Sequence, residues 1–201
     1  MDAYLSPVER PRGLVMRLIY FFSKRFLGKV PTPVTVYAAR MPLAFLTFST
    51  KIARLDRKLK LPASTVALVR AQVTSVNSCL FCEDVQRWYV MKKSPETLAQ
   101  LDALPEYRAS SLFNAADRAA LDYATELTST KSVRPETFTR LAEHFGDREI
   151  CEIVWCVASE HLYNISNHGL GIGSDGFCEL RPPATAATEE RGDAREAVAA
   201  R

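Results

Sequence analysis

Ala67-Leu68-Val69-Arg70-Ala71-Gln72-Val73, continued by Asn77-Ser78-Cys79-Leu80-Phe81-Cys82, is the most informative stretch of this 201-residue sequence. Its first part belongs to an apolar-rich segment, 64–76, whose spacing predicts a helix. Asn77 or Ser78 is suited to cap a second helix, which would place both cysteines in its first turn. The free backbone N–H groups and the helix dipole there favour a thiolate, which is the form that attacks peroxides and disulfides. A spacing of three residues also puts both sulfurs on one helix face, close enough to form a disulfide.

The remaining cysteines, Cys151, Cys156 and Cys178, bear on how this pair is used. A structural zinc needs about four ligands, whereas Cys151 and Cys156 are five residues apart on a predicted helix and point in different directions. An odd number of cysteines without a secretory signal favours a reducing, cytoplasmic setting. We therefore expect a redox dithiol with no metal and no cofactor. The alternative is that both cysteines are small apolar core residues.

The composition predicts one domain with a sizeable core, since 47% of the residues are hydrophobic. No apolar run is long enough to span a membrane, and the segment 14–27 is predicted to be an amphipathic packing helix because charged residues interrupt it. Residues 1–60 hold 12 Lys or Arg against 3 acidic residues, but they contain no nucleic-acid-binding motif. We interpret these charges as a solvated helix face, so neither a nucleic-acid partner nor a membrane span is expected.

Helical signals dominate the chain and predict an all-α domain of seven to nine helices. We expect a helix from about 42 to 60 and another that opens at Asn114-Ala115-Ala116-Asp117. A short helix follows from Pro135 to about 145, and the last runs from a cap at Asp147 to about 168. The domain is predicted to cover 1–180, with an N-terminal helical extension over about 1–60 and a core over about 61–175. The tail 181–201 is poor in large apolar residues and is predicted to be disordered.

With these elements placed, the chain resembles the carboxymuconolactone decarboxylase and alkylhydroperoxidase D-like superfamily. The similarity is carried by the opening stretch, by Asp117-Arg118-Ala119-Ala120-Leu121-Asp122-Tyr123-Ala124, and by a closing helix with Tyr163-Asn164-Ile165-Ser166-Asn167-His168-Gly169-Leu170-Gly171-Ile172. These motifs follow in the order and spacing of the family over roughly residues 10–175. The resemblance implies a single-domain helical bundle with the C-x-x-C at a helix N-terminus, and it implies a homo-oligomer, a dimer or a trimer.

The resemblance also implies a role for each sulfur. Cys82 would be the peroxidatic cysteine that passes through a sulfenic acid, and Cys79 would be the proton donor and resolving partner. The peroxidase branch places a glutamate twelve residues before the first cysteine and a histidine four residues after the second. Those positions are Ala67 and Gln86 here, so both halves of the usual proton relay are absent. A positioned acid or base contributes on the order of 10² to 10⁴ in rate, which makes a replacement necessary for fast chemistry.

His161 is the first candidate for this replacement. We expect it on an inward-facing stripe of the closing helix, at the spacing of Ile150, Val154, Val157, Ile165 and His168. Our hypothesis is that His161, with Glu160 or Gln86, supplies the missing polar partner of the thiols. The alternative is a core histidine whose ring is satisfied by a backbone carbonyl. Trp88 and Tyr89, which follow the cysteines, are candidates for the wall of an apolar substrate pocket.

Three functions are compatible with these residues, in a fixed order of preference. The first is a thiol-dependent peroxidase or disulfide oxidoreductase that uses Cys79 and Cys82, acts on a hydroperoxide or a disulfide, and takes electrons from a dithiol or a redox protein. The second is a non-catalytic or regulatory oligomeric protein, which the loss of the relay residues favours. The third is a lactone decarboxylase, which ranks last because that branch does not rely on a C-x-x-C.

Overall fold

The computed structural model describes residues 3–178, and those residues contain no β-strand. Eight α-helices follow one another, and three short helical segments lie between them. They are α1 (Leu14–Leu27), a π-helical turn (Val34–Ala38), α2 (Pro42–Asp56), α3 (Ala63–Asn77), α4 (Leu80–Lys93), a 3₁₀ turn (Pro95–Thr97), α5 (Leu98–Asp102), a second 3₁₀ turn (Leu104–Glu106), α6 (Ala115–Thr130), α7 (Pro135–Ala142) and α8 (Asp147–Gly169). The prediction of an all-α fold with seven to nine helices is confirmed. The tail predicted over 181–201 lies outside the described residues.

Helix α3 occupies the centre of the bundle because nearly every side of it is covered. It packs against α4, α6 and α8, and eight of its fifteen residues are buried. Val69 and Val73 belong to the main apolar cluster. Their partners there include Ala120 and Ala124 of α6 and Ile153 of α8. Each fully buried side chain of this size contributes roughly 1.5–3 kcal/mol relative to an exposed one. The central position of α3 fixes where its C-terminal end, and thus the cysteine pair, lies in the molecule.

Several helix ends follow the local sequence, and others differ from it. Asn114 and Asp117 form the capping box that opens α6, in which the Asn114 side chain accepts from the Asp117 N–H and the Asp117 carboxylate accepts from the Asn114 N–H. Helix α2 ends at Asp56, four residues earlier than expected. Asp147 is the first residue of α8 and not its cap, since Gly146 holds the cap position with extended backbone angles.

Helix α1 has the predicted bounds, but it presents an apolar surface on its outer side as well. Met16 and Tyr20 are buried, and the Tyr20 hydroxyl donates to the Val8 carbonyl. The opposite side carries six exposed apolar residues, which we call the α1 apolar face: Leu14, Val15, Leu18, Phe21, Phe22 and Phe26. Within residues 3–178, no helix is both long enough and apolar enough to cross a membrane.

Candidate active site

A sharp turn between α3 and α4 presents the cysteine pair. Ser78 ends α3 in the left-handed conformation, with φ of 55°, and the Cys79 N–H returns to the Thr74 carbonyl at 3.1 Å. Cys79 is the N-cap of α4, and Cys82 is the third residue of that helix. The prediction that Asn77 or Ser78 caps this helix is therefore wrong. Asn77 still belongs to α3, and the left-handed turn at Ser78 moves the cap to the cysteine itself.

Both sulfurs are buried and are held by each other and by one amide. Cys79 and Cys82 are only 1% and 5% exposed, and both are free thiols. The Asn167 side chain donates from Nδ2 to the Cys82 sulfur at 3.3 Å and approaches the Cys79 sulfur at 3.8 Å. The pair thus lies in the interior between the start of α4 and the end of α8.

The two thiols differ in the charge state that their surroundings favour. The pKa of Cys79 is lowered to about 7, because its sulfur accepts hydrogen bonds from the Cys82 thiol and backbone N–H and from Asn167, which outweigh its burial. The same contact acts in the opposite direction on Cys82, whose pKa is raised by the hydrogen bond it donates and by burial. Cys79 therefore carries the thiolate in the resting pair, as expected for an N-cap sulfur.

A cavity of about 440 Å³ reaches Cys82. Cys79 does not line it. Aromatic and aliphatic side chains dominate its wall. They come from α2, α4 and α8, from the segment 27–37 and from Phe177, and they include Phe45, Phe48, Phe81, Trp88 and Tyr163. Trp88 thus lies on the cavity wall as anticipated, whereas Tyr89 is exposed and lies outside it. One water occupies about 30 Å³ in the liquid, so the cavity is much larger than hydrogen peroxide needs.

Polar groups are concentrated on one side of this cavity, next to Cys82. They include Gln86, Asn167, Arg70 and Glu160. The Gln86 side chain donates from Nε2 to Glu160 Oε2 at 3.3 Å, and the Arg70 guanidinium lies 3.9 Å from the same oxygen. The pKa of Glu160 is raised by its burial, although Arg70 and the hydrogen-bond donors around it counteract this effect.

Of the two relay positions that the resemblance implies, only Gln86 contacts this polar group. Ala67 is buried in α3 and offers only a methyl group. Gln86 lies one helical turn after Cys82 and contacts an acid that comes from α8. The structure thus brings together four residues named from the sequence, Cys79, Cys82, Gln86 and Glu160, and adds Asn167 to them.

His161 lies elsewhere, because the predicted inward stripe of α8 is only partly correct: Ile150 and Val157 are buried, but Val154 and Ile165 are exposed. Ile165 is 64% exposed and Val154 is 37% exposed, so their side of the helix faces outward. The His161 Nδ1 atom lies 3.3 Å from the Asn77 side-chain nitrogen, and neither ring nitrogen bonds a cysteine sulfur in the described residues. Its pKa is lowered by burial and by Lys131. A catalytic role of His161 stays an untested prediction, and its position does not favour one.

The true interior face of α8 contains Ile153, Cys156 and Val157 and then turns polar at Glu160, Asn164 and Asn167. Sequence reasoning assigned no role to Asn167 and named Glu160 only as an auxiliary to His161. The available signal was the spacing of Glu160, Asn164 and Asn167 itself, which places three polar residues on one helix face. Cys151 is exposed and Cys156 is buried, so these two point apart as predicted. The described residues contain no cluster of three or more residues of the types that hold a metal ion.

Two curated relatives are similar to this chain in sequence. The uncharacterized protein YnjA of Escherichia coli (strain K12) is 28% identical over 170 residues, which cover 83% of this chain and 92% of that protein. The uncharacterized protein YdfG of Bacillus subtilis (strain 168) is 23% identical over 110 residues, which cover 54% of this chain and 74% of that protein. No family model matches the sequence.

Solved structures match most of the fold. The debrominase Bmp8 superposes with a TM-score of 0.73 at 18% identity and covers 89% of this chain and 95% of its own; a cysteine-to-alanine variant of it was solved with 2,3,4-tribromopyrrole. The alkylhydroperoxidase AhpD core of a peroxidase-related protein from Ralstonia eutropha JMP134 gives 0.65 at 22% identity, over 86% of this chain and 96% of that one. This chain therefore shares the all-α fold of the debrominase Bmp8 and of the alkylhydroperoxidase AhpD core, and its own C-x-x-C lies at the start of a helix.

Proposed function

We propose that this chain is a thiol-dependent peroxidase or disulfide oxidoreductase that works through Cys79 and Cys82. The observation that carries the proposal is the pairing of the two sulfurs at the end of an apolar cavity that reaches Cys82. A dithiol with a thiolate of lowered pKa reacts with peroxides and disulfides at neutral pH, whereas a pair of ordinary core cysteines needs no cavity beside it.

The chemistry begins with the transfer of the Cys82 proton to the Cys79 thiolate, to which it is already hydrogen-bonded. The Cys82 thiolate then attacks the outer oxygen of a hydroperoxide, forming a sulfenic acid and releasing an alkoxide that must be protonated. The Cys79 thiol attacks the sulfenic sulfur, and its proton leaves with hydroxide as water. The dithiol has lost two electrons and the peroxide has gained them. An external dithiol or a redox protein, in a reducing compartment such as the cytosol, restores the pair by thiol–disulfide exchange.

Thiol counting tests this proposal. Treatment of the reduced protein with one equivalent of an organic hydroperoxide should remove two thiols, and a dithiol reductant should restore them. Cys82→Ser and Cys79→Ser should each abolish the reversible loss, whereas Cys151→Ser, at an exposed position on α8, should leave it intact. A wild-type protein that loses no pair of thiols to hydroperoxide or to disulfide would support the non-catalytic alternative instead.

A second candidate activity, reductive dehalogenation, is favoured by the aromatic cavity and by the match to the debrominase Bmp8. The dithiol can supply the two electrons that convert an aryl bromide into the arene and bromide, while the pair becomes a disulfide. Incubating the reduced protein with a bromopyrrole and measuring released bromide separates this activity from peroxide reduction. A lactone decarboxylase remains the least supported of the alternatives.

We also propose that the chain forms a homo-oligomer through the α1 apolar face. Leu14 and Phe26 on this face are more than 70% exposed, and the rings of Phe22 and Phe26 stack at 6.0 Å. A cluster of large apolar side chains of this kind on one helix is typical of a surface that another protein covers. A second copy of the chain is the partner that the resemblance implies.

A further inference from the structure

The buried acid Glu160 lies where the family's proton relay is missing. The residue is 3% exposed, and its side chain lies in the wall of the cavity that also reaches Cys82. The two positions at which the resemblance implies a glutamate and a histidine hold Ala67 and Gln86, and neither side chain can take up or release a proton. Among the described residues, Glu160 is the only Asp, Glu or His that lines this cavity.

Three hydrogen-bond donors and one cation hold the Glu160 carboxyl group in one orientation. Thr74 and Asn164 bind Oε1 at 3.1 and 3.0 Å. Gln86 binds Oε2 at 3.3 Å, and Arg70 lies 3.9 Å from the same oxygen. Gln86 is four residues after Cys82, so this amide connects the acid to the helix that carries the reacting sulfur. Gln86 therefore acts as a positioning residue and not as an acid or base.

We propose that Glu160 is the general acid that protonates the alkoxide released when Cys82 attacks a hydroperoxide, in place of the family's glutamate and histidine. This inference rests on the proposed peroxidase function and adds the residue that moves the proton. Neutral Glu160 gives its proton to the leaving oxygen, becomes a carboxylate and is reprotonated from solvent after the disulfide has formed. The proton of Cys82 passes to Cys79 and then leaves with the sulfenic hydroxyl group as water. All protons and both electrons are therefore balanced.

The groups around Glu160 act on its pKa in opposite directions, and burial has the larger effect. Arg70 of α3 is the cation that faces it, but Asp56 of α2 pairs with the same guanidinium at 2.9 Å and shares its charge. Cys82 of α4 and Tyr163 of α8 are the other titratable groups nearby. Burial raises the pKa of Glu160, which keeps a proton on the acid to higher pH than on an exposed glutamate.

The test compares Glu160→Gln with Glu152→Gln, a matched control on the same helix. Glu152 is also buried, but it accepts hydrogen bonds from the Lys60 and Leu61 N–H groups far from the cavity. Glu160→Gln keeps the shape of the side chain and should slow oxidation by an alkyl hydroperoxide by about 10² to 10⁴, while the control stays within about twofold of wild type. An aryl disulfide with an acidic thiol leaving group needs no proton, so Glu160→Gln should slow its reaction far less than it slows the reaction with an alkyl hydroperoxide.

The pH profile gives a second readout that a purely structural role would not change. With an acid required, the wild-type hydroperoxide rate should fall on the alkaline side as Glu160 loses its proton, and this limb should be missing in Glu160→Gln. If that variant does not fold, Glu160→Asp should show a slower rate and an alkaline limb with a moved midpoint. An unchanged rate in Glu160→Gln, or an unchanged midpoint in Glu160→Asp, overturns the inference and leaves the peroxidase proposal standing. A wild type that is inert to hydroperoxides overturns the peroxidase proposal itself.

Discussion

The side-chain amide of Asn167 donates to the Cys82 sulfur at 3.3 Å, joining the end of α8 to the start of α4 across 85 residues of sequence. The same nitrogen lies 3.8 Å from the Cys79 sulfur. An amide N–H can only donate a hydrogen bond. It therefore stabilises a thiolate on either sulfur, both in the resting pair and during the reaction. Asn167 thus links the last helix of the bundle to the reactivity of the first turn of α4.

Asn167→Leu should slow the reaction of the dithiol with a disulfide by about tenfold, since one hydrogen bond to a charged group contributes on the order of 1.5–3 kcal/mol, part of which water replaces. Leucine has a similar volume, so the packing around the sulfurs is largely kept. Stopped-flow measurement of thiol–disulfide exchange at neutral pH checks the expectation. A variant that is as fast as wild type would show that the amide only fills space.

The reduced protein should show one thiolate step with a midpoint near pH 7, which is the pKa that the surroundings give Cys79. The ultraviolet absorbance of the thiolate should rise as the pH increases through this value, because the thiol loses its proton. Cys79→Ser should remove the step. Cys82→Ala should move it to higher pH, because the side-chain donor that contributes most to the lowered pKa is then absent. Loss of the step in Cys82→Ala, with the step kept in Cys79→Ser, would assign the resting thiolate to Cys82.

Much of the fold could be predicted from local patterns. The bounds of α1 and the capping box at Asn114 depend on residues adjacent in the sequence, and both agree with the structure. The cap of α4 was missed because the left-handed conformation of Ser78 comes from the junction of two helices, and the serine side chain gives no sign of it. Local chemistry thus predicts helix existence better than the residue at which a helix begins.

The site was harder to predict because its polar face is buried. Hydrophobic spacing assumes that the inward side of a helix is apolar, and on α8 it therefore selected the side of Ile165 and His161. Glu160 and Asn167 are buried only because partners from other helices satisfy them: Thr74, Arg70 and Gln86 for the acid, and the two sulfurs for the amide. Such partners become visible only in the tertiary structure.

Gln86→His should accelerate oxidation by an alkyl hydroperoxide, by about tenfold or more, because it returns a titratable ring to the family's histidine position. This ring would take the place of the Gln86 amide, which now donates to Glu160 in the cavity that reaches Cys82. Single-turnover thiol loss measures the rate. Gln86→Leu is the matched control, since it fills the position without any hydrogen bond and should be slower than wild type. Equal rates in all three proteins would exclude a proton path through this position.

Val85→Phe should reduce the activity toward bulky hydroperoxides more than toward hydrogen peroxide. Val85 lines the cavity on the residue before Gln86, so a larger ring there occupies part of the 440 Å³. The KM for an aromatic hydroperoxide should rise by about tenfold, because part of the apolar surface available for burial is lost. The rate with hydrogen peroxide, which needs little of the space, should change far less. Equal losses for both substrates would mean that the cavity does not bind the organic group.

The double variant Phe22→Glu and Phe26→Glu should convert the proposed oligomer to monomers. These rings stack on the α1 apolar face, with 50% and 71% of each residue exposed. Two carboxylates there would have to be buried without partners in an interface, which costs far more than it does on a free surface. Light scattering coupled to size exclusion measures the molar mass. Tyr89→Glu, at an equally exposed aromatic residue of α4, serves as the control and should leave the mass unchanged. If the wild type is itself a monomer, or if the double variant keeps the wild-type mass, this face is not the contact between copies.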